Sequence, residues 1–191
     1  MSRIVVTEFV SLDGVMEDPG GAEGSKHGGW TFKFDRGAEG NKFKVDELFA
    51  ADALLLGRVT YQGFAKAWPS IKDPDGFADK MNSIRKYVVS NTLKDSEATW
   101  NNTTVIRGDV TAEIARLKAQ AGGDMLVAGS ARLAHTLIEH GLVDDYRLMV
   151  FPVILGSGKR MFPDLDKVAT LKLVDAKTAG DGIVMLTYQA A

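Results

Sequence analysis

The sequence predicts a layered α/β fold around a mixed sheet, and three stretches carry that prediction. Residues 124–162 run from a short apolar segment through a Gly129-Ser130 turn into a helical stripe of Leu133, Ala134, Leu137 and Ile138. A second apolar run, residues 142–155, follows. A helix flanked by two buried strands is the repeating unit of an α/β layer arrangement. The same order of strand, glycine turn and helix recurs where residues 53–56 (ALLL) feed Gly57-Arg58-Val59-Thr60-Tyr61. Near the end of the chain, Gly180-Asp181-Gly182 joins two strand-like runs as a hairpin, which adds antiparallel pairing to the sheet.

Taken in order, Arg3 to Ser11 concentrates Ile4, Val5, Val6, Phe9 and Val10, the composition of a strand buried on most of its surface. Asp13 and Gly14 turn the chain out of that strand. The glycines from Gly20 through Gly40 then make the longest weakly organised stretch, either a mobile surface segment or a loop shaped around a ligand. Asn41 can cap a helix carrying Phe43, Val45, Leu48 and Phe49. Trp68-Pro69 ends the helix after Gly57, because proline cannot join an interior helical ladder. A short helix over residues 75–83, a strand over 87–90 and a weaker strand over 103–107 come next. Asp109 or Thr111 starts a helix whose apolar stripe is Val110, Ile114, Leu117 and Ala121, stopped by Gly122-Gly123. Gly141 stops the helix of the central unit, and the last strands cover residues 169–176 and 183–189, with Val184, Leu186 and Tyr188 on one face. No linker composition divides residues 1–191, so a single domain is expected.

Composition narrows the function classes. The 191 residues are 45% hydrophobic, enough for one complete core, and 23 basic against 25 acidic residues give a net charge of -2 without a block of either sign. That balance removes the simplest argument for nucleic-acid or anionic-membrane partners. The absence of cysteine excludes disulfides, thiolate catalysis and cysteine-ligated metals. No run reaches bilayer length and no cationic leader precedes the first strand, so cytoplasmic residence is the expectation.

The turns at Gly57, Gly129 and Gly156 can bring amides around phosphates, since glycine permits close approach and helix N-termini favour negative charge. None matches the close-spaced dinucleotide fingerprint or the phosphate-loop Lys-Ser/Thr pattern, and simple turn formation is the alternative. Ser130 can cap its helix or leave the amides there to an anion. Asp13, Asp46 and Glu47 are the carboxylates best placed beside a cleft, to hold a substrate amine or relay a proton; equally, Asp13 can cap a turn and Asp46 or Glu47 can face water. His27, His135 and His140 are too scattered for a metal site, and Gly129-Ser130-Ala131 lacks the nucleophile-elbow pattern. Trp30, Phe32 and Phe34 alternate at strand spacing, as a ligand wall or, more simply, as core aromatics.

Together, VSLDGV at residues 10–15, ADALLLGRVTYQGF at 51–64, VVSNTL at 88–93, and MLVAGS followed by GLVDDYRLMVFPVILGSGKRMF over 125–162 resemble the bacterial dihydrofolate-reductase-like family related to the C-terminal reductase domain of the bifunctional riboflavin biosynthesis enzyme. The resemblance covers nearly the whole chain. It implies a three-layer α/β/α fold with a mostly parallel sheet and an antiparallel C-terminal strand, NADPH as cofactor, a small-molecule substrate and homodimerisation. It makes Gly57, Arg58, Val59 and Thr60 a phosphate-binding helix start, Ser90 and Asn91 neighbours of the adenosine phosphate, and Gly129, Ser130 and Ala131 the pyrophosphate turn. Asp13 matches the Leu-Asp-Gly motif of the reductase cleft, and Asp46 or Glu47 lies where the folate-reducing branch supplies its acid. The implied reaction is hydride transfer to a C=N or C=O group of a heterocyclic or phosphorylated substrate. 5-Amino-6-(5-phosphoribosylamino)uracil is the substrate of the riboflavin branch; dihydrofolate reduction and a non-catalytic nucleotide-binding module are the alternatives. The substrate end departs from both branches: residues 61–69 read YQGFAKAWP, without the acidic, basic and proline features that bind a sugar phosphate, and no proline-tryptophan segment surrounds Trp30.

Overall fold

Strand β1 (Arg3–Ser11) runs through the interior of an eight-stranded sheet in the computed structural model, which describes residues 1–120 and 122–191. Ile4, Val5 and Val6 are fully buried because this strand has neighbours on both edges and helices on both faces, as its unbroken β-branched run requires. Helix α1 (Gly37–Ala50) returns the chain to β2 (Ala51–Gly57), followed by α2 (Arg58–Ala67), α3 (Phe77–Ser83) and β3 (Arg85–Val89). Then come β4 (Thr103–Ile106), α4 (Val110–Ala119), β5 (Asp124–Val127), α5 (Ala131–Glu139), β6 (Asp145–Phe151), and the hairpin of β7 (Leu171–Ala179) and β8 (Ile183–Ala190). The sheet order is β4-β3-β2-β5-β1-β6-β8-β7. All pairings from β4 to β6 are parallel, and β8 is antiparallel to both neighbours, so the sheet is mixed and mostly parallel as expected.

Two cores form on the two faces. One packs Ile4, Val6, Val10 and Leu55 against Ile114 and Leu117 of α4 and Leu133, Ala134 and Leu137 of α5. The other packs Val5, Leu54 and Leu56 against Leu48 of α1, Tyr61 of α2 and Met81 of α3. Crossovers from β1 and β2 thus cover one face and the crossover from β5 covers the other. Because β5 lies between β2 and β1, the crossovers diverge at β5, and a crevice opens beyond the carboxyl ends of these three strands.

Several local expectations change. Helix α1 begins at Gly37, so Asn41 lies inside its second turn, and Phe49 is half exposed. Asp73, ahead of the predicted start, accepts hydrogen bonds from the amides of Phe77 and Ala78 and sets the start of α3. Asp109 caps α4 through the Ala112 amide; Ala121, expected on the apolar stripe of this helix, lies outside the described residues. The long apolar run after Gly141 contributes only Asp145–Phe151 as strand.

Trp30 to Lys33 form a 3-10 turn rather than strand, because Trp30 is drawn inward onto Phe151 while Phe32 turns outward. The glycine-rich stretch is built rather than loose. Asp18 is buried and accepts from the amides of Glu23 and Ser25, and the Trp30 indole donates to the Glu17 carbonyl. Among the described residues no helix is long and apolar enough to cross a membrane.

Candidate active site

The crevice is formed by two helix starts that face each other. Gly57 ends β2 and opens α2; Gly129 and Ser130, joined by a cis peptide bond, end β5 and open α5. Gly57 N–H donates to Gly129 O at 3.2 Å, which locks the two turns together. Both glycines are needed for that approach. A Cβ on Gly57 would collide with Ser130 Oγ and lie 2.9 Å from Ser130 Cβ; one on Gly129 would lie 2.6 Å from Thr60 Oγ1, and Gly129 also holds a φ of 94°. Ser130 does not cap its helix, and α2 likewise carries no side-chain cap. Two sets of first-turn amides therefore converge on one crevice, with the positive ends of both helix dipoles behind them.

The flanks extend this anion-binding edge. Arg58 is exposed at the start of α2 and donates to Thr92 Oγ1 at 2.6 Å and to Gln62 at 3.3 Å. Ser90 Oγ accepts from the amides of Thr92 and Leu93, shaping the turn after β3 that carries Arg58's partner. Asn91 instead accepts from the Gly108 amide and ties the β3 turn to the β4 turn. Val59 is half exposed on the first turn of α2, and Ala131 is buried under α5. The structure thus brings together Gly57, Arg58, Thr60, Ser90, Gly129 and Ser130, and places Asn91 and Ala131 in their support. Such a cradle of free amides, small side chains and one guanidinium suits a pyrophosphate and a further phosphate.

The three carboxylates named from sequence separate. Asp13 accepts from Ser11 Oγ at 2.7 Å and from the amides of Gly156 and Leu155 at 2.8 and 3.1 Å, and Arg160 donates to its backbone carbonyl. The Ser11 hydrogen bond and then the two amides, acting against desolvation, hold Asp13 down at about 2. It is an ionised tie between the end of β1 and the turn at Gly156, not a proton donor. Asp46 points to solvent with 61% of its side chain exposed, paired with Lys42. Glu47 turns inward, where both its oxygens accept from Thr7 Oγ1, at 2.8 and 2.9 Å, and Lys44 pairs with it. Lys159 pairs with Glu17, so it and Arg160 fasten the loop after β1 to the loop after β6.

Sequence reasoning missed Glu8. Residues alternate across a strand, so Glu8 shares a face with Val6 and Val10, both in the core. It is 7% exposed, and its Oε1 is buried without a hydrogen-bond partner among the described residues. Burial dominates its titration and pushes it up to about 8, against the opposing influence of Lys44 and the Gly129 amide. A charged residue inside an otherwise β-branched strand was the available signal, and the strand reading of residues 3–11 absorbed it.

A shallow depression of about 700 Å³ lies at the opposite edge of the sheet, at the starts of β2, β3 and β4. Its Lys80 donates to the Ala51 carbonyl and its Asp52 accepts from the Gly123 amide, while its Arg85 is exposed beside the Tyr87 hydroxyl.

The family model for the RibD C-terminal domain matches residues 2–185. The uncharacterised proteins YyaP and YwjB of Bacillus subtilis are 31% and 29% identical, with matches covering 97% and 95% of this chain and 94% of each relative. Among solved structures, a protein provisionally assigned to riboflavin biosynthesis from Shewanella sp. PV-4 is similar with a TM-score of 0.78 at 20% identity, over 99% of both chains. A pyrimidine reductase-like protein from Corynebacterium diphtheriae has a TM-score of 0.65 at 14% identity, over 99% of this chain and 92% of that one. Dihydrofolate reductase from Enterococcus faecalis, solved with NADP(H), has a TM-score of 0.56 at 17% identity, over 98% of this chain and 96% of that one.

Proposed function

The chain belongs to the RibD C-terminal domain family and has the dihydrofolate-reductase-like fold, and from that premise we propose that it is an NADPH-dependent reductase of a small heterocyclic or phosphorylated substrate. The observation that carries the proposal is the pair of uncapped helix starts at Gly57 and Ser130, held face to face at the carboxyl edge of the sheet. The α5 turn would take the pyrophosphate on its free amides, and Arg58 with Ser90 and Thr92 would take the phosphate on the adenosine ribose. When bound, the nicotinamide supplies a hydride to an electrophilic carbon of a C=N or C=O group, and a proton reaches the heteroatom.

The chain's own residues exclude water and orient the reactants. Phe9, Trp30 and Phe34 pack edge-on around Phe151 beside the crevice, and Lys44 sits 5.1 Å from the centre of the Phe9 ring. Lys44, Thr7 and Glu47 form a linked group that a polar substrate edge can join. Asp13 supports the turn at Gly156 and so the shape of the substrate end. Homodimerisation belongs to the same proposal and is tested by sedimentation.

Titration of the protein with NADPH and NADH, followed by nucleotide fluorescence, tests the cofactor assignment. Saturable binding that prefers NADPH, with the preference reduced about tenfold in Arg58→Ala, is the expected result. An Arg58→Ala protein that retains the full preference refutes the assignment of the phosphate to that edge. Oxidation assays with dihydrofolate and with 5-amino-6-(5-phosphoribosylamino)uracil then select the substrate branch.

A further inference from the structure

Glu8 lies buried beside the Gly129 turn for a topological reason. Pairing between β1 and β5 ends at Val6 with Val127, whereas pairing between β1 and β6 continues to Ser11 with Phe151. Two residues past the last β5 partner, Glu8 therefore has no β5 neighbour where β5 turns away at Gly129, yet the surrounding chain leaves it only 7% exposed. The Gly129 amide faces the carboxyl, and Oε1 has no partner among the described residues. A buried polar atom without a partner costs about 1–3 kcal/mol. A fold that keeps one beside a turn suited to a phosphate implies a partner that arrives with the ligand.

We propose that Glu8 is a ligand-positioning residue, whose carboxyl donates a hydrogen bond to an acceptor oxygen of a pyridine dinucleotide seated over the Gly129–Ser130 turn. This rests on the cofactor reading above and extends it to a residue outside the phosphate cradle. The charged groups that face Glu8 come from two elements: Lys44 and Glu47 on α1, and Glu23 in the loop after β1. The two carboxylates and burial act against ionisation, and Lys44 acts for it. Burial prevails, so near pH 7 the group is a neutral acid with one O–H to give. A neutral acid can lie beside a phosphate-binding turn without repelling its anion, whereas a carboxylate there would oppose binding.

Calorimetric titration of the full chain with NADPH from pH 6.5 to 9.5 tests the inference in three proteins. For the natural protein, affinity holds up to about pH 8 and then weakens toward tenfold per pH unit as the donor is lost. Glu8→Gln keeps a donor that does not titrate, so its affinity at pH 7 stays within about twofold and no longer falls above pH 8. Glu8→Leu removes the donor and weakens binding about tenfold at pH 7. Identical pH profiles for the natural protein and Glu8→Gln overturn the proposal. So does a folded Glu8→Leu protein with full affinity. A natural protein that binds neither NADPH nor NADH removes the cofactor reading and this inference together, whereas tight binding indifferent to residue 8 removes this inference alone.

Discussion

Replacing Glu8 by Gln should make the protein more stable at neutral pH, and the size of the effect follows from the same burial. In the fold the carboxyl keeps its proton up to about pH 8, while in the unfolded chain it loses it near the ordinary value of 4.5. Between those two values the folded state binds more protons than the unfolded state, so stability falls as pH rises. The contribution is fully present below the ordinary value and is lost by the time the pH passes the folded one. At about 1.4 kcal/mol per pH unit, the loss is on the order of 3 kcal/mol at pH 7 and about 5 kcal/mol beyond pH 8. Glutamine has the same shape and no proton to lose, so it escapes this loss. Urea unfolding of both proteins between pH 5 and pH 9, followed through Trp30, Trp68 and Trp100, measures it. Subtracting one profile from the other cancels every titrating group the two share. The difference should climb with pH in favour of Glu8→Gln; a flat difference would show that Glu8 ionises like an exposed carboxylate and would refute the burial argument.

Three further outcomes follow from packing and hydrogen bonding. Gly57→Ala drives a Cβ into Ser130, whose backbone N would lie 3.0 Å away, so the two turns must part. NADPH affinity should fall at least tenfold with a stability loss of about 1–3 kcal/mol, and unchanged binding would mean that the turns need not touch. Lys86 is fully buried and donates to the carbonyls of Asn82, Ile84 and Asn101, with Trp100 4.2 Å away. Lys86→Met leaves three carbonyls without that donor and should cost about 3 kcal/mol or more in urea unfolding. Asp13→Ala removes the acceptor for Gly156 and Leu155 and should cost about 1–3 kcal/mol. Because Asp13 is held down at about 2, its contribution is present above the ordinary 3.8 and fades as pH falls toward 2, so the two unfolding profiles should converge in acid.

What the sequence determined by itself is the order of elements and the chemistry of the turns. Apolar runs at residues 3–11 and 53–56 and the amphipathic stripe of α5 give strands and a helix through local sequence pattern, and the positive φ of Gly129, Gly180 and Gly182 is a local backbone requirement. Helix starts, being local, were legible within a few residues, as Asp109 before α4 shows. The family motifs added the mostly parallel sheet with its antiparallel strand.

The tertiary structure alone decided which of the candidate groups meet. Gly57 and Gly129 lie 72 residues apart and become neighbours because β5 inserts between β2 and β1, a strand order that no local pattern encodes. The same insertion sets the buried Glu8 beside the Gly129 turn, past the end of the β1–β5 pairing. Asp46 and Glu47, adjacent in sequence, part because successive residues on a helix point about 100° apart, which sends one to solvent and the other to Thr7. Periodicity records how often a residue faces the core. Whether a buried carboxyl there finds a hydrogen-bond partner depends on chain segments distant in sequence, and that set the character of Glu8.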